Sequence, residues 1–200
     1  MSSDSHNCVA FPSFDWSRCF CIITILFCEI VSAETTEKIV YYSIYASTAQ
    51  ELDAQLSLNA RNGFHADTQW SIQPRYRFTK ENDSCVVSDS SVTLTVTYTM
   101  PEWVNKAEAS AELQTKWNTW YSNLLSHEKN HGFNGRQAYS DIKHGIYVLN
   151  RARTCSQLTN DLRNMIDSVL FKYSQEDKLY DQRTRHGATE GATISFSSNE

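Results

Sequence analysis

From Leu113 to Leu149 one stripe of residues returns every third or fourth position, with a single step of seven. It runs Leu113, Trp117, Trp120, Leu124, His127, His131, Ala138, Ile142, Ile146 and Leu149. A stripe of that period predicts one long helix, from about Ala107 to Leu149, and demands an equally long apolar surface to lie against. Gly132, Gly135 and Gly145 weaken its second half, so a bend or break is expected there. A second helix is expected from about Ser156 to Tyr180, with Leu158, Leu162, Met165, Val169 and Tyr173 on its inner face.

The surface for these helices lies earlier in the chain, where the period is two. Val92, Leu94, Val96 and Tyr98 alternate with Ser91, Thr93, Thr95, Thr97 and Thr99, a strand with one apolar face and one threonine face. Trp70, Ile72, Tyr76 and Phe78 form a second such strand, and Pro74 within it points to a sheet edge or a bulge. The polar link from Thr79 to Ser84 makes the two an antiparallel pair. Ile39 to Ala46 reads as a further strand. Thr48 and Glu51 fit a capping box opening a short helix to about Asn59, which Asn62-Gly63 ends. The expected class is α+β: an antiparallel sheet followed by two long helices.

Composition agrees with a packed domain. The 200 residues are 40% hydrophobic and 20% charged, and six Gly and three Pro exclude a collagen-like or Pro-rich chain. A net charge of −5 with no polybasic run excludes a general electrostatic nucleic-acid binder.

The N-terminus has the grammar of an export signal. Arg18 precedes the apolar run Cys19 to Phe27, and Val31-Ser32-Ala33 places small residues before a cut near Ala33. The run is short for a membrane-spanning helix, which needs about 20 apolar residues. An uncleaved anchor is the alternative. The expected organisation is a signal peptide over 1–33, one domain over 34–192, and a disordered tail over 193–200. The mature chain is then secreted or periplasmic, with no stable membrane insertion. Cleavage removes four of six cysteines and leaves Cys85 and Cys155, which predict one disulfide in an oxidising compartment. Two separate buried thiols are the alternative.

The long helix carries His127-Glu128-Lys129-Asn130-His131, an HExxH motif. Residues i and i+4 share a helix face, so both imidazoles can reach one metal ion, with Glu128 beside them to move a proton. Two histidines facing a partner or the core are the bland alternative. A catalytic zinc site takes three protein ligands. Downstream candidates for the third are Asp161, Asp167, Glu176, Asp177, Asp181 and His186.

The chain resembles a mostly bacterial family of predicted secreted zinc-dependent proteases, first described as a domain of unknown function. The resemblance runs from Tyr42-Ser43 and Thr48-Ala49 through Thr68, Trp70, Tyr76-Arg77 and Val92-Thr93-Leu94. It continues with Pro101, Trp103, Trp117, the HExxH helix and Cys155. It ends on Tyr180-Asp181 and the stretch Thr184-Arg185-His186-Gly187-Ala188-Thr189-Glu190-Gly191. The resemblance implies a small zincin-like domain and a Zn²⁺ cofactor held by His127, His131 and His186, with Asp181 next in line. It implies peptide-bond hydrolysis with Glu128 as general base acting on a zinc-activated water. Tyr180 is expected as a donor to the oxyanion, or else as a packed helix-end aromatic. Glu190 stands where the family usually carries Gln, and the resemblance gives it no role. The expected partner is a peptide or protein substrate. The competing readings are a non-catalytic zinc-containing binding module of the cell envelope, and a zinc amidase acting on a non-protein amide.

Overall fold

The computed structural model describes residues 34–61 and 63–197. The expected signal peptide and Asn62 lie outside the described residues.

Three long strands form the sheet, in the order β1-β3-β2: β1 is Thr35–Ile44, β2 is Asp67–Glu81 and β3 is Ser84–Trp103. The alternating stripe makes β3 the centre, with Val92, Leu94, Val96 and Tyr98 buried. Asn82 and Asp83 turn β2 back onto β3 as an antiparallel hairpin, and Asn82 takes the positive φ that such a tight turn needs. β2 lies at the edge of the described sheet, its register shifting between Arg77 and Phe78. Pro74, which has no N–H to give, therefore sits on an edge strand.

β1 differs from expectation, because it pairs parallel with β3, from Thr35 opposite Leu94 to Ile44 opposite Trp103. The sheet is thus mixed. The hairpin occupies one edge of β3 and leaves β1 the other. A short strand β4, Arg151–Ala152, pairs antiparallel with β3 at Cys85 and Val86.

Helix α1, Ala49–Asn59, opens on the capping box, with Glu51 N–H donating to Thr48 Oγ1 at 3.2 Å and Thr48 N–H to Glu51 Oε2 at 3.3 Å. The long helix α2 is Ala111–Val148, and it begins after a 3-10 turn at Lys106–Glu108, with Ser110 as its cap. It runs unbroken through all three glycines. The reason is close approach. A Cβ on Gly135 would lie 2.7 Å from Trp70 Cγ, one on Gly145 2.5 Å from Met165 Sδ, and one on Gly132 inside the Tyr98 hydroxyl. The weakened helix propensity is offset by contact of bare backbone with the sheet and the next helix. That next helix, α3, is Cys155–Thr184, one turn longer than the periodicity predicts.

Two clusters fill the layer between sheet and helices. One gathers Ile44, Leu52, Leu56, Val96, Met100, Trp117 and Trp120; the other gathers Val92, Ile142, Ile146, Leu158 and Leu162. The expected disulfide is formed between Cys85 and Cys155 and ties the start of β3 to the start of α3. Residues 193–197, expected within a disordered tail, instead pack on the domain. Phe196 is buried against Trp117 and Trp120, and its N–H donates to Asp53 Oδ1 at 2.7 Å. No described helix is long and apolar enough to cross a membrane.

Two stability measurements check this packing. Urea unfolding of the double variant Cys85→Ala/Cys155→Ala should show a loss of about 4 kcal/mol, the chain-entropy value for a loop of about 70 residues. Gly135→Ala should destabilise by about 1–3 kcal/mol, because overpacking Trp70 outweighs the gain in helix propensity.

Candidate metal centre

Two helices each contribute a pair of residues four apart. On α2 these are His127 and His131; on α3 they are Asp177 and Asp181. The spacing places each pair on one helix face, and the packing of α2 on α3 turns the two faces toward each other. Asp181 Oδ1 lies 3.3 Å from His127 Nε2 and 3.1 Å from His131 Nε2. These ligand atoms all fall within 4.8 Å of one another.

The other ring nitrogens show what can occupy the centre. His127 Nδ1 lies 2.8 Å from Glu190 Oε2, and His131 Nδ1 lies 3.1 Å from Asp177 Oδ1. A carboxylate accepts, so each Nδ1 carries a proton, and a ring that carries only that proton presents its Nε2 lone pair to the centre. Two lone pairs and a carboxylate oxygen then face one another within 4.8 Å. They repel unless a cation or a proton lies among them. The donor set therefore fits a metal ion, and His127, His131 and Asp181 could hold one.

The outer carboxylates are themselves held. Asn134 Nδ2 donates to Asp177 Oδ1 at 2.7 Å, and the Trp70 indole N–H donates to Asp177 Oδ2 at 2.9 Å. Tyr180 donates to Glu190 at 2.8 Å and accepts from Asn130 Nδ2 at 2.7 Å, while its ring stacks on His127 with centroids 4.9 Å apart. Glu190 reaches His127 from a 3-10 turn, Ala188–Glu190, entered through Gly187 at φ 79°. A Cβ on Gly187 would lie 2.7 Å from Ala192 Cβ and 3.3 Å from the His127 ring, so only glycine brings that turn so near.

The centre opens into a cleft of about 620 Å³ whose walls include Phe64, His65, Thr68, Trp70, Lys178 and His186. Glu128 lines it too, though nearly buried, with Oε2 accepting from Thr68 Oγ1 at 2.5 Å. Burial raises the Glu128 pKa above the usual carboxylate range, against the opposing pull of the Thr68 hydrogen bond and the two histidines. Burial works against a charged His131. The Asp177 hydrogen bond and the charges of Asp181, Asp177 and Glu128 outweigh it and raise its pKa.

The sequence-predicted residues thus separate. His127, Glu128 and His131 come together as the motif requires, and Asp181 joins the two histidines. His186 stays just outside that group. Its Nδ1 is 3.7 Å from Asp181 Oδ2 and its half-exposed ring leans on Phe64, with centroids 4.5 Å apart. Tyr180 commits its hydroxyl to Glu190 and Asn130 and is not part of the cleft wall. Asp161, Asp167 and Glu176 lie outside the metal group. Sequence reading gave no role to Glu190, Asn130, Asn134, Thr68 or Trp70, and treated Asp177 only as a ligand candidate. One signal was present: Asp177 and Asp181 repeat on α3 the four-residue step of the two histidines on α2.

The family described as "Bacterial protein of unknown function (DUF922)" matches residues 39–187, and the chain belongs to it. No curated protein and no solved structure matches the chain.

Asp177→Ala and Glu190→Ala, which free one imidazole each, should weaken metal affinity about 10- to 100-fold with the fold retained. Competition against a chromogenic chelator, with circular dichroism as the folding control, checks this.

Proposed function

We propose that the protein is a secreted zinc-dependent metallopeptidase, with Zn²⁺ held by His127, His131 and Asp181. The observation that carries the reading is the convergence of two imidazoles and a carboxylate at one point in a cleft, with the Glu128 carboxylate beside them. Two imidazoles and one carboxylate are a zinc donor set, and three protein ligands are the number a catalytic site uses. The membership of a bacterial family, the disulfide and the signal-like N-terminus support export to an oxidising compartment.

When bound, zinc supplies Lewis-acid polarisation of a carbonyl and acidification of a water molecule. The chain's own groups do the rest. Glu128 takes a proton from the attacking water and delivers it to the departing amine nitrogen as the C–N bond breaks. A carboxyl whose pKa is raised by burial is suited to both transfers. Thr68 fixes the Glu128 carboxylate from the first residues of the edge strand, so base and cleft wall are set by the same backbone. Asp177 and Glu190 keep both imidazoles in the ligating tautomer.

The test is zinc content and cleavage of a mixed peptide library by the chain from Glu34 onward. About one zinc per chain is expected. Glu128→Gln should keep the metal and lose at least about 100-fold in activity, and His131→Ala should lose both. A wild type that holds zinc and cleaves nothing in the library would overturn the peptidase reading while leaving the metal centre in place.

A further inference from the structure

Helix α3 ends in an unusual way. Arg185 and His186 both have φ 52°, and Gly187 follows at 79°. The only other non-glycine residue with positive φ among the described residues is Asn82, whose hairpin turn accounts for it. Arg185 is accounted for by the helix end, where a left-handed residue lets the next N–H fold back. His186 N–H indeed reaches Asp181 O at 2.7 Å. That motif needs one left-handed residue. The second, at His186, pairs with Gly187 at the centre of a tight turn closed by Ala188 N–H donating to Arg185 O at 3.2 Å, and costs on the order of 1 kcal/mol.

The same turn also places the imidazole. The His186 ring comes to the cleft wall beside Asp181, with Phe64 against it. Asp181 divides its two oxygens, Oδ1 toward the two metal-facing imidazoles and Oδ2 toward His186. At 3.7 Å, His186 Nδ1 is beyond hydrogen-bond distance from Oδ2, and among the described residues its ring makes no hydrogen bond. An imidazole with N–H capacity thus stands half-exposed beside the metal group without belonging to it. The Tyr180 hydroxyl, the other candidate for meeting negative charge on substrate, is engaged by Glu190 and Asn130.

We infer that His186 is a catalytic residue rather than a metal ligand: its ring N–H donates to the carbonyl oxygen of the scissile amide as that oxygen becomes negatively charged. The inference rests on the peptidase reading above. Tyr180 is then a positioning residue, which acts through Glu190 on His127. A fixed donor aimed at a developing oxyanion is worth about 100- to 1,000-fold in kcat.

The test uses zinc-loaded wild type, His186→Ala and His186→Gln, with two probes built on one tetra-alanine backbone. The phosphinic peptide mimics the tetrahedral oxyanion; the hydroxamate binds chiefly by chelation. Both variants should keep one zinc at near wild-type affinity and bind the hydroxamate within about threefold, which also shows that they fold. His186→Ala should bind the phosphinic peptide about 100- to 1,000-fold more weakly, with a matching fall in kcat and little change in KM. His186→Gln, which retains a side-chain N–H, should recover part of both. Loss of zinc from His186→Ala would make the residue a ligand and overturn the inference, with the peptidase reading intact. So would unchanged phosphinic affinity and kcat. A wild type that binds zinc but neither probe, and cleaves no peptide, would overturn the peptidase reading and this inference with it.

Discussion

Everything in the site depends on the meeting of two imidazoles and one carboxylate at its centre. Two imidazoles and a carboxylate whose facing atoms lie within 4.8 Å of one another are stable in one of two ways, by sharing protons or by sharing a cation. The carboxylates behind the rings bear on that choice. Glu190 and Asp177 each hold a ring proton at Nδ1, which leaves each Nε2 to face the centre. A donor set backed by two further carboxylates could hold a metal ion. It also explains why the chain accumulates acidic groups at one end of α3, where without a cation they would repel.

The scaffold makes this arrangement rigid by running the same contacts through fold and site. Trp70 packs on bare backbone at Gly135 and donates from its indole nitrogen to Asp177. The position of the sheet on α2 therefore sets the position of the carboxylate that orients His131. Thr68, two residues earlier on the same strand, holds Glu128. The disulfide fixes the far end of α3, nearly its whole length away from Asp181, so that the helix delivering the third acidic group is tied down at its start as well. Such supporting contacts are what separate a site that is present from one held to a few tenths of an ångström.

Local periodicity made much of this legible. The stripe of α2, the alternation of β2 and β3, the capping box at Thr48 and the HExxH spacing depend only on neighbours in sequence, and they appear where the residues predict. What depended on distant partners did not show. An alternating strand carries no mark of direction, so the parallel pairing of β1 was invisible. The glycines of α2 read as weak points until the residues opposite them, Tyr98, Trp70 and Met165, were known. The third acidic group was obscured by one turn of helix. A helix ending at Tyr180 leaves Asp181 in a loop, and the family resemblance pointed to His186 ahead of it. The left-handed cap at Arg185 lets α3 continue to Thr184 and puts Asp181 on the face that meets the histidines. Glu190 was illegible for the same reason, since only the Gly187 turn brings it under His127.

The C-terminal segment shows why that turn can be trusted to hold its place. Between Thr184 and Phe196 the chain has little regular structure, yet both ends are fixed. At one end the α3 cap sets Arg185 and His186. At the other, Phe196 is buried beside Trp117 and Trp120, Ala192 O accepts from the Trp120 indole, and Asp53 binds the backbone at Phe196 and Ser197. A loop of this length with free ends would give up substantial entropy to hold one conformation. Anchored in the aromatic core, it gives up much less, and that core is built from α2, the helix that carries His127. Glu190 is therefore positioned against His127 from two directions by elements that also fix His127 itself. The segment that composition alone marks as tail is, on this geometry, part of the wall that keeps the imidazoles of His127 and His131 in register.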